Sequence, residues 1–249
     1  MNVKVIKKSR LWLTVAFCGL LTLSAAQAER KRTLVAGQGA RYVATIKTSK
    51  GTVRFRLFND TPIHRDNFVR LAEQGFYNNL LFHRVIRDFM IQTGDPESVE
   101  ASQVKVYGEA DAGYKLDAEI LPHYYHRRGV VAAAREGDAE NPTRRSSGSQ
   151  FYIVVGRIQN DSTLAGAREK IAARAADPTA AQITPEREKV YRKQGGTPHL
   201  DGSYTIFGEV ISGIGVVRRI SELPTDLQDR PKNEDIHIKN IKIKLVKGR

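Results

Sequence analysis

Residues 82 to 95, Phe-His-Arg-Val-Ile-Arg-Asp-Phe-Met-Ile-Gln-Thr-Gly-Asp, carry the side chains whose types and spacing could do chemistry. One guanidinium, Arg84, is set among apolar residues, with a single amide, Gln92, nearby and a Gly-Asp turn closing the run. Read as an extended segment, Arg84, Ile86 and Asp88 point to one face and Val85, Arg87 and Phe89 to the other. Met90 and Gln92 rejoin the Arg84 face. A fixed cation beside an amide and a thioether makes a poor core and a good groove. Its chemistry would be charge-assisted hydrogen bonding next to an apolar contact. An edge strand with scattered charges is the alternative reading of the same residues.

A second segment favours the groove. Ser147-Gly-Ser-Gln-Phe-Tyr-Ile-Val-Val155 places a Gly/Ser turn before a β-branched and aromatic run, the pattern of a buried strand entered from a tight loop. Gly51-Thr-Val-Arg-Phe-Arg-Leu-Phe58, Phe82–Asp95, Ser147–Val155 and His199-Leu-Asp-Gly-Ser-Tyr-Thr-Ile-Phe-Gly-Glu-Val210 follow one another in that order. Together they resemble the cyclophilin-type peptidyl-prolyl cis-trans isomerases, over roughly residues 41 to 245.

The resemblance implies a chemistry that needs no nucleophile, metal, cofactor or proton transfer. An X-Pro bond prefers trans by only about 0.5–1 kcal/mol, yet interconversion crosses a barrier of about 18–20 kcal/mol because twisting destroys amide resonance. A site that stabilises the twisted form accelerates both directions equally. By resemblance, Arg84 supplies the guanidinium that donates to the prolyl nitrogen or its carbonyl, and Gln92 positions that arginine and the substrate backbone. Phe89, Met90 and Leu200 match the apolar floor and wall. Tyr152 stands where a phenylalanine is usual, so its hydroxyl needs a partner or solvent. Gln150 matches a second amide lining the subsite before proline. Ala134 and Arg135 match the strand whose backbone bonds the peptide, with Arg135 replacing the usual asparagine. His199 occupies the place of a tryptophan that contacts cyclosporin in the best-known eukaryotic members, which implies weak sensitivity to that drug. Tyr204 sits where a histidine is common. The implied partners are proline-containing polypeptides. A non-catalytic proline-peptide-binding or chaperone module on the same fold is the alternative function.

The elements that must hold these residues are mostly strands. Val53, Phe55 and Leu57 alternate with Arg54 and Arg56, as in a half-buried strand. Asn59-Asp-Thr-Pro62 offers a cap residue and a first-turn proline, and predicts a helix to about Gln74 that Gly75 stops. A second, shorter helix is expected over Gly213–Ile220, after a strand at Tyr204–Val210. Ile236 and Ile238 alternate with polar residues, and the pattern resumes out of phase at Ile241, predicting a bulge near Lys239-Asn240. These signals predict a mostly β antiparallel barrel, and the resemblance implies a closed eight-stranded one capped by two helices. Between about 157 and 198, two short helices are expected as an insertion, at Ser162–Ala176 and Thr184–Gly195. A surface elaboration is the simpler reading of that insertion; a lid or docking element is the other.

The first 28 residues resemble a cleavable secretory signal: Lys4, Lys7, Lys8 and Arg10, then the apolar Leu11–Leu23, then Ala26-Gln-Ala28 as a cut site. The apolar run is short for a membrane span, which needs about 20 residues, so a cleaved leader with no membrane insertion afterwards is expected and an uncleaved anchor is the alternative. An exported, periplasmic or secreted protein is expected. Cys18 lies inside this run and is the only cysteine, so the mature chain would lack disulfide and thiol chemistry. Residues 29–40 read as a flexible lead-in to a single domain, 41–249. Loss of the four charges in the leader lowers the net charge from +13 to +9. The basic residues are spread among acids without an aromatic-plus-basic signature, which argues against nucleic acid as a partner. A monomer is expected. His123-Tyr-Tyr-His126 has a metal-like spacing but no adjacent glutamate, and reads as two surface histidines rather than ligands. His83 reads as structural.

Overall fold

The computed structural model describes residues 40–100, 102 and 105–247. The leader and nearly all of the lead-in lie outside the described residues. Arg41–Val246 form one compact unit.

The alternating segment forms a hairpin of β1 (Ala40–Thr48) and β2 (Gly51–Leu57), paired from Val43↔Arg56 to Thr48↔Gly51. Val53, Phe55 and Leu57 are buried. Helix α1 (Pro62–Glu73) starts at the expected proline, and Gly75 follows its end with φ +75°. Its N-terminus is capped in an unexpected way. Thr61 makes no side-chain cap bond. Instead the Glu119 carboxylate accepts from the backbone N–H of Ile63 (3.0 Å) and of His64 (2.9 Å). A distant acid thus satisfies the orphan donors and the helix dipole.

Residues 84–93 form a tight hairpin, β3 (Arg84–Ile86) and β4 (Met90–Thr93), rather than one extended run. Phe89 N–H donates to the Ile86 carbonyl, and Asp88 turns the chain with φ +59°. The pairs Arg84↔Gln92 and Ile86↔Met90 keep the expected shared face, because directly paired residues project to one side. A short side ribbon joins β5 (Lys115–Leu116) to β7 (Ser146–Ser147). The remaining strands are β6 (Val130–Ala133), β8 (Phe151–Val154), β9 (Ile206–Ser212) and β10 (Ile238–Lys247).

The main sheet has eight strands in the order β10-β1-β2-β9-β6-β8-β4-β3. The pairs β1–β2, β2–β9, β9–β6, β6–β8, β8–β4 and β4–β3 all run antiparallel. The expected full closure is not observed. β3 and β10, at the two ends of that order, do not pair as strands. Val85 N–H donates to the Asp229 carbonyl at 2.7 Å, so a loop occupies the edge of β3. Closure is limited to the bridge Leu81↔His237 and bonds such as Phe82 N–H to Ile236 O (2.8 Å). The curled sheet is therefore not a fully closed barrel. In β10 the inward-facing residues change phase between Ile238 and Ile241, as the sequence pattern requires.

Phe55, Phe68, Tyr77, Phe151 and Phe207 interlock with ring centroids 5.2–6.5 Å apart, joining α1 to the sheet. Burying each of these rings contributes about 1.5–3 kcal/mol. Helix α4 (Ile214–Ser221) buries Val216, Val217 and Ile220 on one face. The insertion holds α2 (Asp161–Arg174) and α3 (Pro185–Gln194), close to the expected ranges. Asn160 and Thr163 form a reciprocal capping box at α2. Leu164, Ala167, Ile171, Ala175, Ala181, Ile183 and Tyr191 give the insertion its own buried cluster.

Candidate functional site

The sheet registers assemble the site. Arg84 pairs with Gln92, and Gln92 pairs with Tyr152 on β8, so the three form one cross-strand row. With strands about 4.8 Å apart, the row places Arg84 roughly 10 Å from Tyr152 on the same face. Met90, Ala134 and Tyr152 are buried there in one apolar cluster, against which half-buried Phe89, Leu200 and Tyr204 pack. His199 stacks on Phe89, centroids 5.7 Å apart and planes 22° apart. Burial, aided by the nearby Lys170, lowers the His199 imidazole from 6.5 to about 4. At neutral pH it is therefore an uncharged plate.

Arg84 is 44% exposed, and its Nε donates to the Asp229 carboxylate at 3.2 Å. That bond leaves the two terminal nitrogens of the fork directed elsewhere. Gln92, expected to hold Arg84, donates from its Nε2 to the Gln150 Oε1 at 2.9 Å. Gln150 in turn donates to the Gly108 (2.9 Å) and Ala110 (2.6 Å) carbonyls. Asp229 is thus the orienting partner, and no sequence signal marks it. Its loop lies far along the chain and is brought to β3 by the Val85 hydrogen bond.

Gln92, Ala134, Arg135 and Gln150 come together at a second feature, a cavity of about 120 Å³ beside the apolar cluster. Both backbone groups of Ala134 are occupied inside the protein: its N–H donates to Gln150 O (3.0 Å) and its carbonyl accepts from Ser147 N–H (2.9 Å). The Ala134 backbone is therefore already engaged by the protein's own chain. The Arg135 side chain is engaged as well. It donates to the Ser203 carbonyl (2.9 Å), pairs with Asp138 (2.6 Å) and lies 4.7 Å from the Tyr204 ring centroid. A cation over an aromatic face holds the loop that carries Tyr204.

Tyr152 finds the partner its hydroxyl needs in His126, whose Nε2 lies 2.9 Å away. His126 is completely buried, which corrects its reading as a surface residue; only His123 is exposed. The spacing alone could not separate them, because burial follows from the fold of the loop. His83 is buried beside Arg84, as a structural residue should be. No cluster among the described residues could hold a metal ion. Another cavity, of about 470 Å³, lies elsewhere and is lined in part by Arg56, Arg127 and Glu209. There both arginines pair with the buried Glu209, so much of its charge is internally matched.

Comparison with known proteins identifies the family. Residues 43–243 match the family model for cyclophilin type peptidyl-prolyl cis-trans isomerases. The chain is 34% identical over 206 residues to a peptidyl-prolyl cis-trans isomerase-like 1 of Neurospora crassa, covering 82% of this chain and 91% of that one. It also superimposes on a cyclophilin type peptidyl-prolyl cis-trans isomerase from Cryptosporidium parvum, with a TM-score of 0.56 and 26% identity. That match covers 82% of this chain and 98% of the other. A second structure of the Cryptosporidium protein, in the presence of the dipeptide Ala-Pro, matches with a TM-score of 0.55 at 25% identity, covering 81% and 98%. The chain belongs to the family of cyclophilin-type peptidyl-prolyl cis-trans isomerases.

Proposed function

We propose that this protein is a peptidyl-prolyl cis-trans isomerase that accelerates X-Pro rotation in exported polypeptides, with Arg84 stabilising the twisted bond. The observation that carries the reading is the row Arg84–Gln92–Tyr152 beside the Met90 and Leu200 cluster. A prolyl ring seated on Tyr152, Met90 and Leu200 puts its preceding bond within reach of the guanidinium. As that bond rotates, the nitrogen lone pair localises and becomes a hydrogen-bond acceptor. A donor fixed in advance by Asp229 stabilises that state more than either planar isomer. Gln92, Gln150 and the Arg135 main chain are the groups for the substrate backbone. The Ala-Pro dipeptide used with the Cryptosporidium relative is the kind of ligand this arrangement fits.

The export half of the proposal rests on the leader-like residues 1–28. N-terminal sequencing of the protein from its native host should begin at Glu29; an intact Met1 in the cytosolic fraction would remove that half alone, and an intact Met1 in the membrane fraction would select the uncleaved anchor. For the activity, a protease-coupled proline-peptide assay on residues 29–249 is the test. Acceleration of cis-to-trans conversion supports the enzyme, whereas peptide binding without acceleration selects the non-catalytic binding module.

A further inference from the structure

The insertion meets the groove through a buried chain of polar side chains. The Tyr191 hydroxyl, from α3, donates to the Asp201 carboxylate, 2.9 and 2.8 Å from its two oxygens. Asp201 also accepts from the His126 backbone N–H at 2.7 Å and faces its Nδ1 at 3.1 Å. With the Nδ1 proton directed at Asp201, Nε2 is left to accept the proton of the Tyr152 hydroxyl. All four donors and acceptors are matched, and Tyr191, Asp201, His126 and Tyr152 are all buried. The same insertion grips the loop that forms the opposite wall. Ala176 N–H donates to the Gly202 carbonyl at 2.8 Å, and Ala175 and Ala181 lie so close to Gly202 that a Cβ there would meet theirs at 2.9 and 2.6 Å.

We propose that the insertion is a working part of the proline groove: Tyr191, acting through Asp201 and His126, positions the Tyr152 floor and the 198–204 wall. This rests on the reading that the groove binds proline. Tyr191 touches no substrate and is a positioning residue. A surface elaboration would leave the groove indifferent to Tyr191, whereas here one hydroxyl inside the insertion orders two side chains beneath the ring site.

The test is Tyr191→Phe, which keeps the packed ring and removes the hydroxyl, measured on residues 29–249 with a proline tetrapeptide. KM should rise about fivefold with kcat within about twofold, because ground-state and transition-state seating suffer together. A double-mutant cycle with Tyr152→Phe should be non-multiplicative by at least about twofold, since both changes act along one path. An unchanged KM in folded Tyr191→Phe, or effects that simply multiply, would overturn the proposal. Should the variant not fold, the unmodified protein still decides. The His126 ring N–H resonance should shift on saturation with the tetrapeptide, and an unmoved resonance refutes the coupling. Failure of the unmodified protein both to turn over and to bind would defeat the isomerase reading with it, whereas an active protein with independent variants defeats this inference alone.

Discussion

Removing the Glu119 carboxylate should loosen α1 without touching catalysis. Glu119 accepts from Ile63 N–H (3.0 Å) and His64 N–H (2.9 Å), and its Oε2 lies 2.7 Å from the His64 Nδ1. Burial pushes its pKa up, but the bonds from His64 and Ile63 outweigh that, so the pKa is lowered overall from 4.5. Loss of a helix cap costs about 1 kcal/mol, and a hydrogen bond to a charged group about 1.5–3 kcal/mol, so Glu119→Ala should cost about 3 kcal/mol in all. For a domain of this size that corresponds to a fall in Tm of about 6–12 °C. Glu119→Gln keeps the shape and should lose about 1–2 kcal/mol. Thr61→Ala, at the formal cap position, should cost only about 0.5–1.5 kcal/mol, the packing of one buried methyl, since Thr61 makes no cap bond and its buried hydroxyl has no partner. Urea denaturation at pH 7 measures all three. The contribution of Glu119 is fully present above its unfolded pKa and fades as pH falls through the lower folded value. Parity of Glu119→Ala with wild type, or a larger loss in Thr61→Ala, would refute the reasoning.

Three further outcomes follow from the same structure. Burial, opposed by Asp95 and aided by Arg84, lowers the His83 imidazole from 6.5 to about 4. Between those pH values the unfolded chain binds a proton that the folded chain does not, so stability should fall by about 3 kcal/mol across that window and level off below it. An equally steep decline in His83→Gln would contradict this. At Gly196, with φ +151°, an added Cβ would lie 2.3 Å from the His126 carbonyl and 2.7 Å from Tyr191 Cε1. Gly196→Ala should therefore lose about 3 kcal/mol or more in denaturant titration, and near-parity would show the contact to be soft. With His199 in place of a tryptophan, cyclosporin should inhibit weakly, and tight, low-nanomolar inhibition would contradict that reading.

Much of this was legible because it depends on short-range pattern. The alternation Val53, Phe55, Leu57 fixes a strand, and Pro62 and Gly75 bracket α1. Thr184-Pro185 and Gly195 bracket α3 in the same way. The candidate site residues were named by resemblance, and the sheet registers bring Arg84, Gln92 and Tyr152 into one row. What escaped the sequence depends on tertiary placement. Asp229 reaches Arg84 across 145 positions, and Glu119 caps a helix 55 positions away. His126 differs from His123 only in where the loop sends it, one to Asp201 and the other to the exposed Asp60. The hairpin turn at Asp88 was hidden because its two short strands preserve the parity of a single extended run. Incomplete closure depends on a loop taking the β3 edge, which no strand pattern encodes.

The proposed mechanism turns on the guanidinium of Arg84, and Arg84→Ala separates catalysis from binding. In the protease-coupled assay its kcat/KM should fall about 10²–10³-fold, the loss typical of one preorganised donor. Affinity for the same proline peptide, measured by calorimetry, should change by less than about threefold, because the Met90, Tyr152 and Leu200 surface is untouched. A variant that keeps full turnover, or one that loses peptide affinity in step with rate, would contradict the account.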